Sequence, residues 1–334
     1  MKQTIEKLLI NINLTQEESR KLMFEIMSGE YDDAQIAGFL ISLRAKGESS
    51  SEIAGFAQAM RDKMTRIDSV DNAIDMCGTG GDASGTFNIS TAASFVVAGA
   101  GVPVAKHGNR SMTSKSGSAD VLTALGIDIT LSPEKVSKCI DEIGIGFMFA
   151  PSLHPAMKYA MGARKALGTR TVFNILGPLC NPAGVTRQLM GIFDGSLTDK
   201  VAKVLQKLGA EQAMVVHGHD GLDEISTTAS TKISHLKDDN SIESTAISPD
   251  DYGFCTASLA DLKGGTPKKN AKIITSILDG SDAGKKADIV ILNAGAGILV
   301  SGVANNLDEG INMAKEALES GSALVKLNKL AAVK

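Results

Sequence analysis

Past about residue 72 the sequence changes its grammar, and that change limits the fold more than any other feature. Short apolar runs begin to alternate with helical patterns. "AIDMCG", "VPVAKHG", "IGFMFAP", "RQLMGIF", "EQAMVVHG" and "ADIVILNA" read as strands. Between them "NISTAASFVVAGAG", "SADVLTALG", "SPEKVSKCIDEIG" and "LTDKVAKVLQKLG" read as helices, with Ser132 as a cap and Pro133 in the first turn of the third. Such a βαβ rhythm predicts an α/β unit with a mostly parallel central sheet. Residues 226–255 are polar with scattered β-branched side chains, which predicts antiparallel or edge structure. The run "ADIVILNAGAGILVSGVA" (287–304) carries Asp288 and Asn293 among its apolar residues. It reads as a buried strand running into a helix rather than as a membrane span.

Residues 1–65 follow a different plan, with helical patterns throughout. "TQEESRKLMFEIMSG" places Thr15 and Glu18 in capping-box spacing, and "DDAQIAGFLISLRAKG" and "SSEIAGFAQAMRDKM" repeat the scheme of polar cap, amphipathic run and stop. The expected architecture is therefore a small helical unit ahead of a larger α/β unit. Tryptophan is absent and aromatics make up only 4% of the 334 residues, so the core must rely on aliphatic side chains and 13 methionines. A net charge of −4 leaves no global basic field for nucleic acid. Cys77, Cys139, Cys180 and Cys255 form no CxxC pair, which argues against a zinc site and a secreted disulfide scaffold. The first residues are too regularly charged for a signal peptide, and a cytoplasmic protein with no membrane association is expected.

The strand "AIDMCG" runs into "CGTGGD" (77–82), a turn rich in glycine at a strand-to-helix corner. With Ala83 it fits a loose G-x-G-x-x-A dinucleotide fingerprint, but the acid such a site needs on the next strand is replaced by the cations of "VPVAKHGNR". A Walker A loop fails because no Gly-Lys-Ser/Thr follows. What remains is the physics both share: glycines let backbone N–H groups approach phosphate oxygens in front of a helix N-terminus. "NIST" (88–91) then offers Asn88, Ser90 and Thr91, which can cap the helix or donate to an anion. The second strand end, "KHGNRSMTSKSGS" (106–118), adds Lys106, His107, Arg110 and Lys115 among five hydroxyl residues. That composition suits a polyanion such as diphosphate.

Further along, "HGHDGLDEIS" presents adjacent Asp223 and Glu224 after an apolar strand. Paired acids near a diphosphate suit Mg²⁺, which takes few carboxylates and keeps waters or phosphate oxygens. His217 and His219 lack a third nitrogen or sulfur ligand for zinc. Taken together, "GTGGD", "NIST", "KHGNRSMTSKSGSADVL", "ARKALGTRTVFNILGPLCNP" and "HGHDGLDEIS" resemble, in this order, the anthranilate phosphoribosyltransferases of tryptophan biosynthesis. The likeness runs from the helical N-terminus to "DIVILNAGAGILVSG".

That resemblance implies a fold similar to nucleoside phosphorylases of the pyrimidine type and a homodimer joined through the helical domains. It implies a helical domain over 1–70 to which 154–184 returns, and an α/β domain over 71–153 and 185–334. The implied reaction transfers the phosphoribosyl group of 5-phosphoribosyl 1-diphosphate to anthranilate. The resemblance places Gly78, Gly81, Asp82, Thr86, Asn88, Ile89, Ser90 and Thr91 on the sugar diphosphate, with Lys106, His107, Gly108, Asn109, Arg110, Ser111, Met112, Thr113, Ser114 and Ser118. It gives Mg²⁺ to Ser90, Asp223 and Glu224, and anthranilate to Gly78, Asn109 and Arg164. Position alone does not separate Arg164 from Lys165 or Arg170. No acid or base is assigned, His107 and His154 shape the substrate path, and Cys77 reads as packing because no covalent step is needed. The rivals are a pyrimidine nucleoside phosphorylase of the same fold, a nicotinamide oxidoreductase, and a non-enzymatic relative that binds the sugar diphosphate.

Overall fold

The computed structural model describes residues 1–68, 71–81, 84–111 and 115–334. Four helices open the chain: α1 (Lys2–Leu9), α2 (Gln16–Ile26), α3 (Asp33–Lys46) and α4 (Ser50–Lys63). Three of them start with reciprocal capping boxes, Thr15 with Glu18, Asp32 with Gln35, and Ser49 with Glu52. Each box satisfies two N–H groups that a helix start leaves unpaired. Glu52 also accepts from the Leu14 N–H (2.9 Å) and pairs with the buried Lys46 ammonium (2.8 Å), which locks the helices to one another.

The α/β unit follows with β1 (Ile74–Gly78), α5 (Ile89–Gly99), β2 (Val104–Gly108), α6 (Ser118–Ala124), α7 (Pro133–Lys138) and β3 (Ile145–Phe149). Next come α8 (Ala150–Leu153), α9 (Lys158–Leu167), α10 (Phe173–Leu176), β4 (Arg187–Gly191), α11 (Thr198–Lys207) and β5 (Gln212–Gly218). The antiparallel strands β6 (Thr231–Leu236) and β7 (Ile242–Ile247) lie in the region expected to hold edge structure. Helices α12 (Pro267–Leu278), α13 (Lys285–Ser301), α14 (Leu307–Glu319) and α15 (Ser322–Ala332) complete the chain. The sheet order is β3-β2-β1-β4-β5-β6-β7, and β1 to β5 run parallel. A small helical domain thus precedes a larger α/β domain with a mostly parallel sheet.

The expectation for 287–304 is corrected: these residues contribute no strand, and Lys285–Ser301 is one continuous helix. It packs against α5, α14 and the sheet and is buried nearly all round. A helix buried on every side loses the one-sided pattern that would distinguish it from a buried strand. Gly295 is what lets α14 come close, since a Cβ there would lie 2.8 Å from the Ile311 backbone nitrogen.

Because strand side chains alternate between faces, the sheet serves two cores. Met76, Leu189, Met214 and Val216 join α5 and α13 on one face. Met190, Ile192, Ala213 and Val215 join α11 and the N-terminal helices on the other. The chain order reverses between β1 and β4, which are register partners from Ile74–Arg187 to Gly78–Gly191. In open α/β sheets such a reversal opens a crevice at the carboxyl ends of the strands.

Candidate active site

The crevice at the ends of β1 and β4 is built around one carboxylate. Gly78 and Gly191 are paired neighbours, and a Cβ on either would run into Asp223. Two missing side chains therefore make the notch in which Asp223 sits. Its Oδ2 accepts the Gly80 N–H at 2.7 Å. Gly80 and Gly81 hold φ of +67° and +79°, a left-handed turn that other L residues adopt at a cost. The turn is closed from the β4 side, where Thr79 N donates to the Gly191 carbonyl (3.0 Å) and Phe193 N donates to Thr79 Oγ1 (3.1 Å). The neighbouring acid crosses to the next element: Glu224 Oε1 accepts the Ser90 N–H (3.1 Å) in the first turn of α5. An acid there also faces the positive end of the helix dipole.

Beneath Ser90 lies Lys106, which is 3% exposed. Its ammonium donates to the Met76 carbonyl and lies 3.4 Å from Ser90 Oγ. Burial pushes its pKa below the ordinary lysine value, against the pull of Asp75, Cys77 and Glu224. Asp75 is the counter-charge. Burial raises its carboxyl, opposed by Lys106, by Asn181 Nδ2 (2.8 Å) and by the His107 N–H (3.1 Å). Neither Asp75 nor Asn181 was among the expected site residues. The available signal was an acid inside an apolar strand, which is costly unless paired.

Asn88 stands at the N-cap of α5, but its side chain makes no capping bond and joins the two corners instead. Its Nδ2 donates to the Ser116 carbonyl (3.0 Å), and its Oδ1 accepts from Asn270 of α12 (2.9 Å). Ile89 and Thr91 turn their side chains into the core, so their contribution to a ligand would be main chain. Thr86 forms an isolated bridge with Lys263. In the second corner Asp120 gathers the loop: it accepts from Ser111 N (3.0 Å), Gly117 N (2.9 Å) and the Arg110 guanidinium (2.9 Å). Gly108 makes room for Ser118 Oγ and the Phe147 ring. Asn109 Oδ1 accepts from Arg110 N (2.7 Å), while the Asn109 carbonyl accepts from Ser118 Oγ (3.3 Å). Asp82, Met112, Thr113 and Ser114 lie outside the described residues.

The segment holding Arg164 touches this crevice at both ends. His154 packs its ring on His107 with centroids 5.1 Å apart, and Arg170 donates to the Gly81 carbonyl while stacking on Phe193 at 4.1 Å. Arg170 is thus engaged, and Lys165 is exposed. Arg164 is half-buried beside the Phe173 ring (5.1 Å), and no carboxylate pairs with it among the described residues. Burial lowers its pKa. Burial likewise holds His107 at about 3 and His154 at about 4, so both rings are neutral at pH 7. Cys77 is buried, accepts from Gln188 Nε2 (3.1 Å), and has its thiol pushed well up by burial, as packing requires and nucleophilic attack does not.

Can these residues suit a divalent cation? The donor set is two carboxylates and one hydroxyl, all hard oxygen, at a glycine corner able to receive phosphate. No cluster of three or more His, Cys, Asp or Glu that could hold a metal occurs among the described residues. The hard-oxygen donor set fits Mg²⁺, which completes its shell with water and phosphate oxygens.

A glycine-lined crevice at the switch point of a parallel sheet suits a phosphate-bearing ligand, and the family to which the chain is matched is one of glycosyl-transfer enzymes. Residues 70–324 match the Glycosyl transferase family, a/b domain, and residues 2–64 its helical bundle domain. The chain is 50% identical to the anthranilate phosphoribosyltransferase of Alkaliphilus metalliredigens over 331 residues, 99% of this chain and 97% of that one. It is 51% identical to that of a Thermoanaerobacter species over 331 residues, with the same coverage. Among solved structures, the Thermus thermophilus anthranilate phosphoribosyltransferase superposes with a TM-score of 0.93 at 40% identity, covering 98% of each chain. The Saccharomyces cerevisiae enzyme in complex with PRPP and Mg gives 0.89 at 29% identity, covering 98% of this chain and 96% of that one. The chain belongs to the anthranilate phosphoribosyltransferase family.

Proposed function

We propose that the crevice transfers the phosphoribosyl group of 5-phosphoribosyl 1-diphosphate to the amine of anthranilate, a step of tryptophan biosynthesis. The bond from the anomeric carbon to the diphosphate oxygen breaks, and a carbon–nitrogen bond forms. Diphosphate leaves, and the amine gives up a proton to solvent. The observation that carries this reading is the joining of two anion-suited corners through Asn88 and Lys106, with the Asp223–Glu224 pair at the first of them and, on the segment that borders them, an Arg164 that no carboxylate pairs among the described residues.

The backbone of the Gly78–Gly81 turn and of the first turn of α5 binds phosphate, helped by the side chain of Lys106 below. Residues 106–118 and Thr86 hold the rest of the sugar diphosphate, and Asp82 and Met112 to Ser114 belong to the same set. Asp223, Glu224 and Ser90 would hold Mg²⁺, which when bound offsets charge on the departing diphosphate. Arg164 receives the anthranilate carboxylate through its planar fork, with Asn109 and the Gly78 backbone beside the ring. Neutral His107 and His154 line the approach without adding charge. Placement and electrostatics do the work, since the aromatic amine is already neutral at pH 7.

The same reading covers organisation. The division into a helical domain over 1–70 and 154–184 and an α/β domain over 71–153 and 185–334 is supported by α9, whose Ala163 N–H donates to Asp33 Oδ1 of α3 at 3.0 Å. A homodimer through the helical domains is supported by Leu9, Ile10, Ile12 and Ile41, exposed to between 42% and 67% on that unit. A cytoplasmic location fits the family; no helix among the described residues is long and apolar enough to cross a membrane. Anthranilate fluorescence tests the activity. Its emission should fall only when protein, 5-phosphoribosyl 1-diphosphate and Mg²⁺ are all present. Phosphorolysis of thymidine with no loss of anthranilate emission would favour the nucleoside phosphorylase reading.

A further inference from the structure

The acids of the crevice sit on residues 219–230, which form no helix or strand. A segment without a hydrogen-bond ladder must find its rigidity elsewhere. Near its start, Asp220 accepts from Leu222 N (3.1 Å), from Ser226 Oγ and from Thr228 Oγ1. That web ties the ends of the segment to each other, but not to the rest of the protein.

Besides the bonds of its acids to Gly80 and Ser90 and of the Thr227 carbonyl to the Ala257 N–H (2.8 Å), the segment is held to the rest of the protein by Asn293. It lies in the middle of α13 and is 0% exposed, in a helix otherwise buried through aliphatic and small side chains. Its amide makes three hydrogen bonds. Oδ1 accepts the Ile225 N–H at 2.9 Å, Nδ2 donates to the Ile225 carbonyl at 2.8 Å, and Nδ2 also donates to the Ile289 carbonyl at 2.8 Å. The first two bonds make a two-pronged grip on one residue, as a neighbouring strand would. The third orients the amide from its own helix. The gripped N–H belongs to the peptide that carries the Glu224 carbonyl, so fixing it fixes the plane from which Glu224 departs.

We infer that Asn293 is a positioning residue for the Asp223–Glu224 pair, setting the metal affinity of the crevice from within α13 without touching metal or substrate. This rests on the proposed metal role of that pair. An apolar residue would pack as well in a helix of this kind, yet it would leave the Ile225 N–H and carbonyl buried and unpaired. Small errors in the backbone at Ile225 carry directly to the acid beside it, and supports of this sort commonly change metal affinity by about 10–100-fold when removed.

The test compares wild-type chain with Asn293→Ala and Asn293→Asp, the latter keeping the acceptor for Ile225 N. Free Mn²⁺ measured by electron paramagnetic resonance, in the presence of 5-phosphoribosyl 1-diphosphate, reports metal binding without turnover. The expected result is metal affinity weakened about tenfold with the anthranilate KM within about twofold of wild type. An unchanged Mn²⁺ titration in a folded variant, or equal losses in metal and anthranilate binding, would overturn the inference. Asp223→Asn with Glu224→Gln is measured alongside. A metal titration unmoved by that double change defeats the metal reading and this inference with it, whereas one moved there but not in Asn293→Ala defeats this inference alone. Should neither variant fold, amide exchange in wild type decides. Ile225 N–H should exchange only through global unfolding, and rapid exchange would refute the grip.

Discussion

The two sides of the crevice solve opposite problems. On the side proposed for the diphosphate nearly every group is already engaged: Asp223 with Gly80, Glu224 with Ser90, Lys106 with Met76, Asn88 with Ser116 and Asn270. On the side proposed for anthranilate a half-buried Arg164 has no acidic partner among the described residues, and the neighbouring histidines are held neutral. A diphosphate with its metal is highly charged, and a site that keeps its polar groups in place loses little to reorganisation when it binds. Anthranilate brings a single carboxylate, for which one desolvated guanidinium suffices. Under the proposed function, the difference teaches that preorganisation is concentrated where charge would develop, and that specificity for the acceptor would rest on few residues.

The largest effect should come from disturbing the engaged side. Asp223→Asn with Glu224→Gln removes about 3 kcal/mol of transition-state stabilisation, on the order of a hundredfold in rate, and shifts the Mg²⁺ dependence measured by steady-state kinetics. An unshifted metal curve would mean that the pair only holds the Gly80 turn and α5.

Next comes the other side. Arg164→Ala should raise the KM for anthranilate by about 30-fold, the worth of roughly 2 kcal/mol for a hydrogen bond to a charged group. The KM for the sugar diphosphate should stay within about twofold. Equal changes in both would erase the distinction between the two sides.

A smaller effect sharpens the same contrast. The folded pKa values of His107 and His154, about 3 and about 4, lie below the ordinary histidine value near 6.5. Above that value both states are neutral and the rings add nothing to the pH dependence. As pH falls below 6.5 the unfolded chain takes up protons that the folded chain refuses. Stability should drop by about 1.4 kcal/mol per pH unit for each ring, down to about pH 4. Denaturant midpoints between pH 7 and pH 5 check this, and the slope should lessen in His154→Asn. The smallest effect is expected for Cys77→Ala, which should leave kcat within about twofold and cost about 1 kcal/mol or less in thermal unfolding.

What could be read from the sequence was whatever is local. The capping boxes at Thr15, Asp32 and Ser49, the positive-φ glycines after β1, and the hydroxyl-rich loop after β2 each declare themselves within a few residues. Three things did not. Helix α13 reads in the sequence as a strand running into a helix, because burial on all sides erases its periodicity. The Asp75–Lys106–Asn181 group joins positions far apart in sequence, so no spacing reveals it. The choice among Arg164, Lys165 and Arg170 is one of environment: Arg170 is spent on Gly81 and Lys165 faces solvent.

Calorimetric titration of 5-phosphoribosyl 1-diphosphate at a series of Mg²⁺ concentrations tests most directly whether the acid pair couples metal to diphosphate. The account predicts affinity that climbs with Mg²⁺ in the wild-type chain and stays nearly flat once Asp223 and Glu224 are replaced by their amides. The same climb in both proteins would contradict it.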